Sequence, residues 1–152
     1  MPRRKGEGTW RPIYEGTRSA YARMEGAWVP SRGVADAGAA ASIAALIVRD
    51  YRRGWTYDHY GNAVPMTWDL ARRRLLYLIP LAVKHGASRR DLQLIRDLVY
   101  RAAATGELPP EYLPLVRLEG PQAGRILAEV GARPRAAAAA TARRAARRRA
   151  RA

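Results

Sequence analysis

The chain contains no cysteine, which excludes disulfide bonds, thiol catalysis and cysteine-ligated metal sites. Asparagine occurs once and glutamine twice, and such a shortage of thermolabile residues beside many arginines is typical of proteins from hot habitats. No apolar stretch follows the charged N-terminus, Met-Pro-Arg-Arg-Lys, so we predict no signal peptide. The longest apolar runs, 37–48 and 75–83, are shorter than the roughly 20 residues of a membrane span. We expect a soluble protein without a transmembrane segment, either intracellular or packaged inside a particle.

Sequence patterns of catalysis are also missing. The two histidines, His59 and His85, do not stand in an HxxxH or HExxH pattern, and neither GxxxxGK[ST] nor GxSxG occurs. Asp58 precedes His59, but adjacency in sequence does not by itself orient a catalytic pair. We therefore expect no enzymatic activity, cofactor, metal ion or small-molecule substrate.

Positive charge is abundant and unevenly placed. The chain has 28 Lys+Arg against 13 Asp+Glu, a net charge of +15, and all but Lys5 and Lys84 of the basic residues are arginine. Arginine binds phosphate oxygens in a fork, although a GC-rich genome also favours arginine over lysine. Residues 1–33, 34–132 and 133–152 carry +4, +3 and +8. Genome composition does not explain this placement, which predicts a basic N-terminal arm, a nearly neutral core and a basic C-terminal segment.

The apolar spacing of the central region predicts helices. Thr67 and Ser88 are candidate N-caps, Gly54 and Gly106 candidate ends, and Pro80 is expected to kink a helix or begin a new one. The predicted segments are a short helix at 17–27, helices at 34–53, 67–85, 88–105 and 121–130, an aromatic loop or hairpin at 55–65 and a connector at 107–114. The expected fold class is all-α, a bundle of about four helices with an extended basic arm and an Arg/Ala-rich C-terminal helix.

The C-terminal segment is predicted to bind nucleic acid. Ala136–Ala140 favours a helix, on which Arg143, Arg147 and Arg151 would share one stripe with Arg144 and Arg148 beside them. The segment lacks Asn and Gln, so we expect salt-dependent backbone contact without base specificity. A disordered solubilising tail and a targeting signal are the alternatives. The predicted DNA-binding residues are Arg133, Arg135, Arg143, Arg144, Arg147, Arg148, Arg149 and Arg151.

The N-terminal arm is predicted to bind the same polyanion. Its basic residues alternate with glycines that allow close backbone approach, and Trp10 and Tyr14 are candidates for stacking or for anchoring the arm onto a neighbouring subunit. An ordinary frayed terminus is the alternative. The predicted DNA-binding residues here are Arg3, Arg4, Lys5 and Arg11. Additional phosphate contacts, or alternatively a solvated face with local salt bridges, are predicted for Arg49, Arg52, Arg53, Arg72, Arg73 and Arg74.

In layout the chain resembles the major capsid proteins of filamentous archaeal viruses, the rudiviruses, lipothrixviruses and tristromaviruses. The resemblance covers the arm (MPRRKGEGTWRP), the helical core and the tail (ARPRAAAAATARRAARRRARA), and the Arg/Ala richness without cysteine fits the tristromaviruses of hyperthermophiles best. It implies a structural protein that wraps linear double-stranded DNA, held in the A form, into a helical filament.

The resemblance further implies self-assembly into homodimers, or heterodimers with a related second capsid protein, in a virion nucleocapsid assembled in the host cytoplasm. The basic helix is C-terminal here, whereas basic wrapping segments in the family are often N-terminal, and this difference implies one half of a heterodimer. Two other functions stay open at this point: a cellular nucleoid or chromatin-type DNA-binding protein, and an RNA-binding component of a ribonucleoprotein.

Overall fold

The computed structural model describes residues 13–31 and 33–131, and four of its helices begin at polar caps. Helix α1, Ala20–Glu25, begins at Ser19, whose side chain accepts the Ala22 N–H. Helix α2, Ala37–Arg53, begins at Asp36, whose side chain accepts the Ala39 N–H. It ends at Gly54, whose φ of +90° lies in the left-handed region. Glycine adopts this conformation readily because it has no Cβ atom. Helix α2 therefore occupies most of the predicted 34–53 segment.

The aromatic segment after α2 forms a hairpin, one of its two predicted forms. Strand β1, Trp55–Tyr57, pairs antiparallel with β2, Ala63–Pro65, in a register that places Thr56 opposite Val64. The Asp58 carboxylate accepts the N–H groups of Tyr60 and Asn62 and so closes the connecting turn.

The predicted interruption near Pro80 is confirmed. Helix α3, Trp68–Leu76, begins at Thr67, whose side chain accepts the Leu70 N–H, and α4 spans Leu78–Lys84. Proline lacks an N–H and its ring clashes with the carbonyl four residues earlier, which is that of Leu76. The helix therefore breaks at Tyr77, and Pro80 lies in the first turn of the new segment.

Helix α5, Arg89–Thr105, is capped by Ser88 and ended by Gly106, as predicted. The proline-rich connector forms a 3-10 helix, Pro110–Leu115, and residues 123–131 form helix α6. Between these two elements, a backbone bridge joins Trp28 to Glu119. The last described helix is thereby attached to the N-terminal part of the chain.

Helix α2 lies at the centre of the protein. Every residue from Ala37 to Asp50 is buried, and α3, α5, the 3-10 helix and β1 all pack against it. Its many alanines let these neighbours approach on all sides, because small side chains keep helix axes close. The core is completed mainly by Leu75, Leu78, Ile95 and Leu98, all fully buried.

Residues 13–31, assigned by the sequence to the arm, belong to this packed unit. Tyr14, Tyr21 and Val29 are 0–1% exposed, and Glu15 forms a parallel bridge with Val29. The predicted helical character is confirmed at the level of a mostly helical fold with a small two-stranded sheet, whereas the bundle of about four helices stays a prediction. No helix within 13–31 and 33–131 has the length and apolar character needed to cross a bilayer.

Candidate nucleic-acid interface

The terminal residues predicted to bind DNA lie outside the described residues. This group comprises Arg3, Arg4, Lys5, Arg11, Arg133, Arg135, Arg143, Arg144, Arg147, Arg148, Arg149 and Arg151. The described residues include 15 of the 28 basic side chains and 12 of the 13 acidic ones, a net charge of +3. Of the remaining residues, 12 basic ones and one acidic one lie in 1–12 and 132–152 and carry +11, so most of the charge excess belongs to the terminal sequences.

Two of the predicted core contacts, Arg49 and Arg53, are bound to carboxylates at the end of α2. Arg49 Nη1 lies 2.5 Å from Glu25 Oε1, and its Nε donates to Glu129 Oε1 at 3.2 Å. Arg53 reaches the same Glu25 oxygen at 2.9 Å and Asp50 Oδ1 at 3.1 Å. With 7% of its side chain exposed, Arg49 is occupied by the fold and offers no surface for phosphate. These contacts fit the salt-bridge alternative for this pair.

Arg74 is also buried, but its partners are neutral groups. Its Nη1 donates to Tyr14 Oη at 2.8 Å and to Thr56 Oγ1 at 3.1 Å, and its Nη2 donates to the Tyr57 carbonyl at 3.1 Å. Tyr14 therefore anchors the N-terminal segment to α3 and the hairpin of its own chain, whereas its predicted anchoring onto a neighbouring subunit stays a prediction.

Asp50 is the central acceptor of this buried region. Tyr21 Oη donates to its Oδ1 at 3.1 Å and Thr56 Oγ1 to its Oδ2 at 2.8 Å. Burial raises the pKa of Asp50 to about 6, although the Arg53 and Arg49 cations act in the opposite direction. Burial, with the nearby Asp50 charge, likewise raises the pKa of Tyr14 to about 12, so this phenol stays protonated and can hydrogen-bond.

Together these contacts form one polar network that runs between the two ends of the described chain. It passes from Tyr14 through Arg74 and Thr56 to Asp50, and then through the α2 arginines to Glu25 and Glu129. Burial opposes ionisation of Glu25, but hydrogen bonds from Arg49 and Arg53 outweigh it and lower the Glu25 pKa. The segments that lead into both basic ends are thus fixed to the same part of α2.

The other predicted core contacts lie nearer the surface. Arg73 is 68% exposed and pairs with Asp69, whereas Arg72 is exposed and donates from Nε to the Ala103 carbonyl at 3.3 Å. Arg52 is half-buried beside Arg49 and Arg53, around a small cavity of about 130 Å³. Consecutive arginines thus point in different directions, as the 100° helical step requires.

A cleft of about 750 Å³ lies between the N-terminal segment and the end of α4. Arg18, Lys84 and His85 line it, but so do the carboxylates of Glu15 and Glu119. Burial raises the pKa of Glu15, against a hydrogen bond from the Gly33 backbone. This mixed charge does not favour a polyanion, and the described residues bring together no group of three or more His, Asp or Glu that could hold a metal ion.

Sequence reasoning missed two features of this region. The buried network joins residues up to 80 positions apart, and no local spacing signals such long-range pairs. The exposed edge of α5 carries Arg89, Gln93, Arg96 and Tyr100, whose regular helical spacing was visible in the sequence. Comparison of the chain with models of protein families, with curated proteins and with solved structures gave no match.

Proposed function

We propose that the protein is a non-catalytic DNA-packaging protein that coats double-stranded DNA through its two basic terminal segments. The observation that carries the proposal is the partition of charge. The described residues, which we call the body, hold +3, and six of their 14 arginines are paired with carboxylates, whereas the terminal sequences 1–12 and 132–152 hold +11. Charge concentrated in this way neutralises phosphates and releases counterions, which drives binding without sequence specificity.

The buried network supports the same proposal. Tyr14 and Glu129 belong to the two segments that lead into the basic ends, and both are bound through it to α2. Two basic segments held by one body can act on the same polyanion, because binding of the first raises the effective concentration of the second. A packaging protein needs this arrangement to hold a duplex along its length.

In its specific form the proposal is a nucleocapsid protein of a filamentous virus, which wraps DNA in the A form. It assembles with copies of itself, or with a related second capsid protein, in the host cytoplasm and resides in the virion. The Arg/Ala-rich segment 133–152 is the proposed DNA-binding helix. The described body supplies the surfaces that pack between subunits.

Negative-stain microscopy of the full chain mixed with linear double-stranded DNA tests the proposal. We expect uniform filaments, and we expect them to disappear with a variant ending at Ala132. A second variant keeps the length of the tail but replaces Arg143, Arg144, Arg147, Arg148, Arg149 and Arg151 with glutamine. We expect it to lose filaments too, because charge and not chain length makes the contact.

Binding to the same DNA is measured in parallel as a function of salt. Deleting eight tail arginines lowers the slope of log K against log salt by up to about 7 if each arginine neutralises one phosphate. Irregular coating of DNA would favour a chromatin-type protein, and preference for structured RNA a ribonucleoprotein component. Absence of binding at low salt overturns the nucleic-acid proposal. Circular dichroism of each variant verifies that the body remains folded.

A further inference from the structure

Helix α5 carries an exposed polar stripe made of Arg89, Gln93, Arg96 and Tyr100. These residues are spaced i, i+4, i+7 and i+11, so they lie on one side of the helix. The core face of α5, with Ile95, Leu98, Val99 and Ala102 buried, lies on another side. Tyr100 is 57% exposed although it is a large aromatic residue.

Arg72 extends this stripe from the neighbouring helix α3. Its Nε donates to the Ala103 carbonyl, one helical turn beyond Tyr100. Arg72 is itself exposed, so the hydrogen bond holds its guanidinium group beside the α5 surface without burying it. Three guanidinium groups, those of Arg72, Arg89 and Arg96, thus belong to one continuous surface, which we name the α5 stripe together with Gln93 and Tyr100.

The three arginines of the α5 stripe have no acidic partner within the body, unlike the exposed arginines Arg73, Arg117 and Arg125. Across residues 13–31 and 33–131, no carboxylate lies within ion-pair distance of Arg72, Arg89 or Arg96. Each of these three other arginines forms an ion pair, in the pairs Arg73–Asp69, Arg117–Asp36 and Arg125–Glu129. On the opposite edge of α5, Arg101 is neutralised by Asp97 and Glu111. The stripe therefore holds two of the three arginines of this helix that lack an acidic partner among the described residues, the third being Arg90.

The position of Arg89 adds a second argument. Arg89 lies in the first turn of α5, where the partial positive charge of the helix N-terminus disfavours a cation. The carboxylate of that turn, Asp91, is directed elsewhere, since it accepts hydrogen bonds from the Ala37 N–H and the Ser88 hydroxyl. A cation placed against the helix dipole and without a partner is stabilised when an external anion binds.

We propose that the α5 stripe binds the phosphate backbone of the duplex that the basic ends also bind, so that the body contacts DNA directly. This inference rests on the proposed function. Arg72, Arg89 and Arg96 bind phosphate oxygens, while Gln93 and Tyr100 donate hydrogen bonds to phosphate or sugar. From Arg89 to Tyr100 the stripe is roughly 16 Å long at 1.5 Å per residue, enough to pass several phosphates of a duplex.

The composition of the stripe favours nucleic acid over a protein partner. The centres of protein interfaces are apolar and poor in charge, whereas the α5 stripe has only the Tyr100 ring as apolar surface. All its cations are arginine, which binds phosphate with two parallel hydrogen bonds. An acidic surface on a second copy of this chain is the competing partner, and the experiment below distinguishes the two.

The test compares two full-length triple variants that lose the same charge. The stripe variant is Arg72→Gln/Arg89→Gln/Arg96→Gln, and the control is Arg73→Gln/Arg117→Gln/Arg125→Gln, whose arginines are exposed but paired with carboxylates. Binding to a linear duplex is followed by fluorescence anisotropy over a range of salt concentrations. We expect the slope of log K against log salt to fall by about 2 to 3 for the stripe variant, at about 0.9 per phosphate, and to stay near the wild-type value for the control.

Equal slopes for the two variants and the wild type overturn the α5 stripe while leaving the proposed function intact. A wild-type chain that does not bind DNA at low salt overturns the proposed function and the stripe with it. Sedimentation of the wild type and both variants without DNA then distinguishes loss of DNA binding from loss of self-association. If the stripe variant loses self-association but binds DNA like the control, the stripe contacts another copy of the chain and the proposal is wrong.

Discussion

Arg72, Arg73 and Arg74 are consecutive in the sequence and meet three different environments. Arg72 lies along α5, Arg73 forms an exposed pair with Asp69, and Arg74 is enclosed by Tyr14, Thr56 and the Tyr57 carbonyl. A buried guanidinium group is tolerated only when hydrogen bonds replace its lost hydration. Arg74 meets that requirement, so its contribution is to the fold.

Replacing Arg74 and Arg73 separately measures this difference. We expect Arg74→Ala to lower the free energy of unfolding by about 3 kcal/mol, because it leaves buried polar groups without their donor. Arg73→Ala, its neighbour and matched control, should change it by no more than about 0.5 kcal/mol, since its ion pair is exposed. Urea denaturation followed by circular dichroism provides both values. Similar losses for the two variants would contradict the structural role of Arg74.

Asp50 makes stability depend on pH in a definite direction. Burial raises its pKa in the folded protein to about 6 from an ordinary value of 3.8, so the folded state binds this proton more tightly than the unfolded state. That contribution to stability is present below the ordinary pKa and is lost as pH rises through about 6. The lowered pKa values of Glu25 and Asp36 act in the opposite direction, with stability lost as pH falls.

Asp50→Asn isolates the effect, because the other carboxylates are common to both proteins. Between pH 4 and pH 8 we expect the wild type to lose about 2.5 kcal/mol of unfolding free energy relative to Asp50→Asn. The measurement is urea denaturation of both proteins at several pH values. A difference between them that is constant with pH would show that the Asp50 pKa is not raised.

At the scale of elements, the bridge between Trp28 and Glu119 depends on a glycine. The two residues exchange backbone hydrogen bonds of 2.9 and 3.0 Å, and Gly120 follows with a φ of +109°. A Cβ atom on Gly120 would lie 2.5 Å from the Gly26 carbonyl oxygen. This close approach of two backbones joins the segment before α6 to the N-terminal part of the chain.

Gly120→Ala and Gly54→Ala separate crowding from backbone strain. Both glycines have positive φ, but a Cβ on Gly54 would meet nothing within 4 Å. We expect Gly54→Ala to destabilise the protein by about 1 to 2 kcal/mol, from strain alone, and Gly120→Ala by about 2 kcal/mol more because of the clash. Thermal and chemical denaturation of the two variants test this order, and equal losses would exclude the tight contact at Gly120.

At the scale of the whole molecule, the residues that form the folded body and the residues that carry most of the positive charge lie in different parts of the sequence. Most arginines of the body have a partner within it, whereas the terminal sequences hold +11 of the net charge of +15. The α5 stripe adds exposed arginines without an acidic partner on the body itself. A variant ending at Ala132 therefore separates folding from DNA binding. It should keep the helical circular dichroism signal and the stability of the body while losing most of its affinity for DNA.

The sequence by itself determined the helices, the caps at Thr67 and Ser88 and the break near Pro80, because these follow from local backbone chemistry. For residues 55–65 it left a loop and a hairpin open. It also determined the distribution of charge along the chain. Only the tertiary structure decided that residues 13–31 pack into the body and which arginines are available. Arg49 and Arg74 are bound because Glu25, Tyr14 and Glu129 approach them from distant parts of the chain. Such pairings depend on how the helices pack, and no local pattern of residues records them.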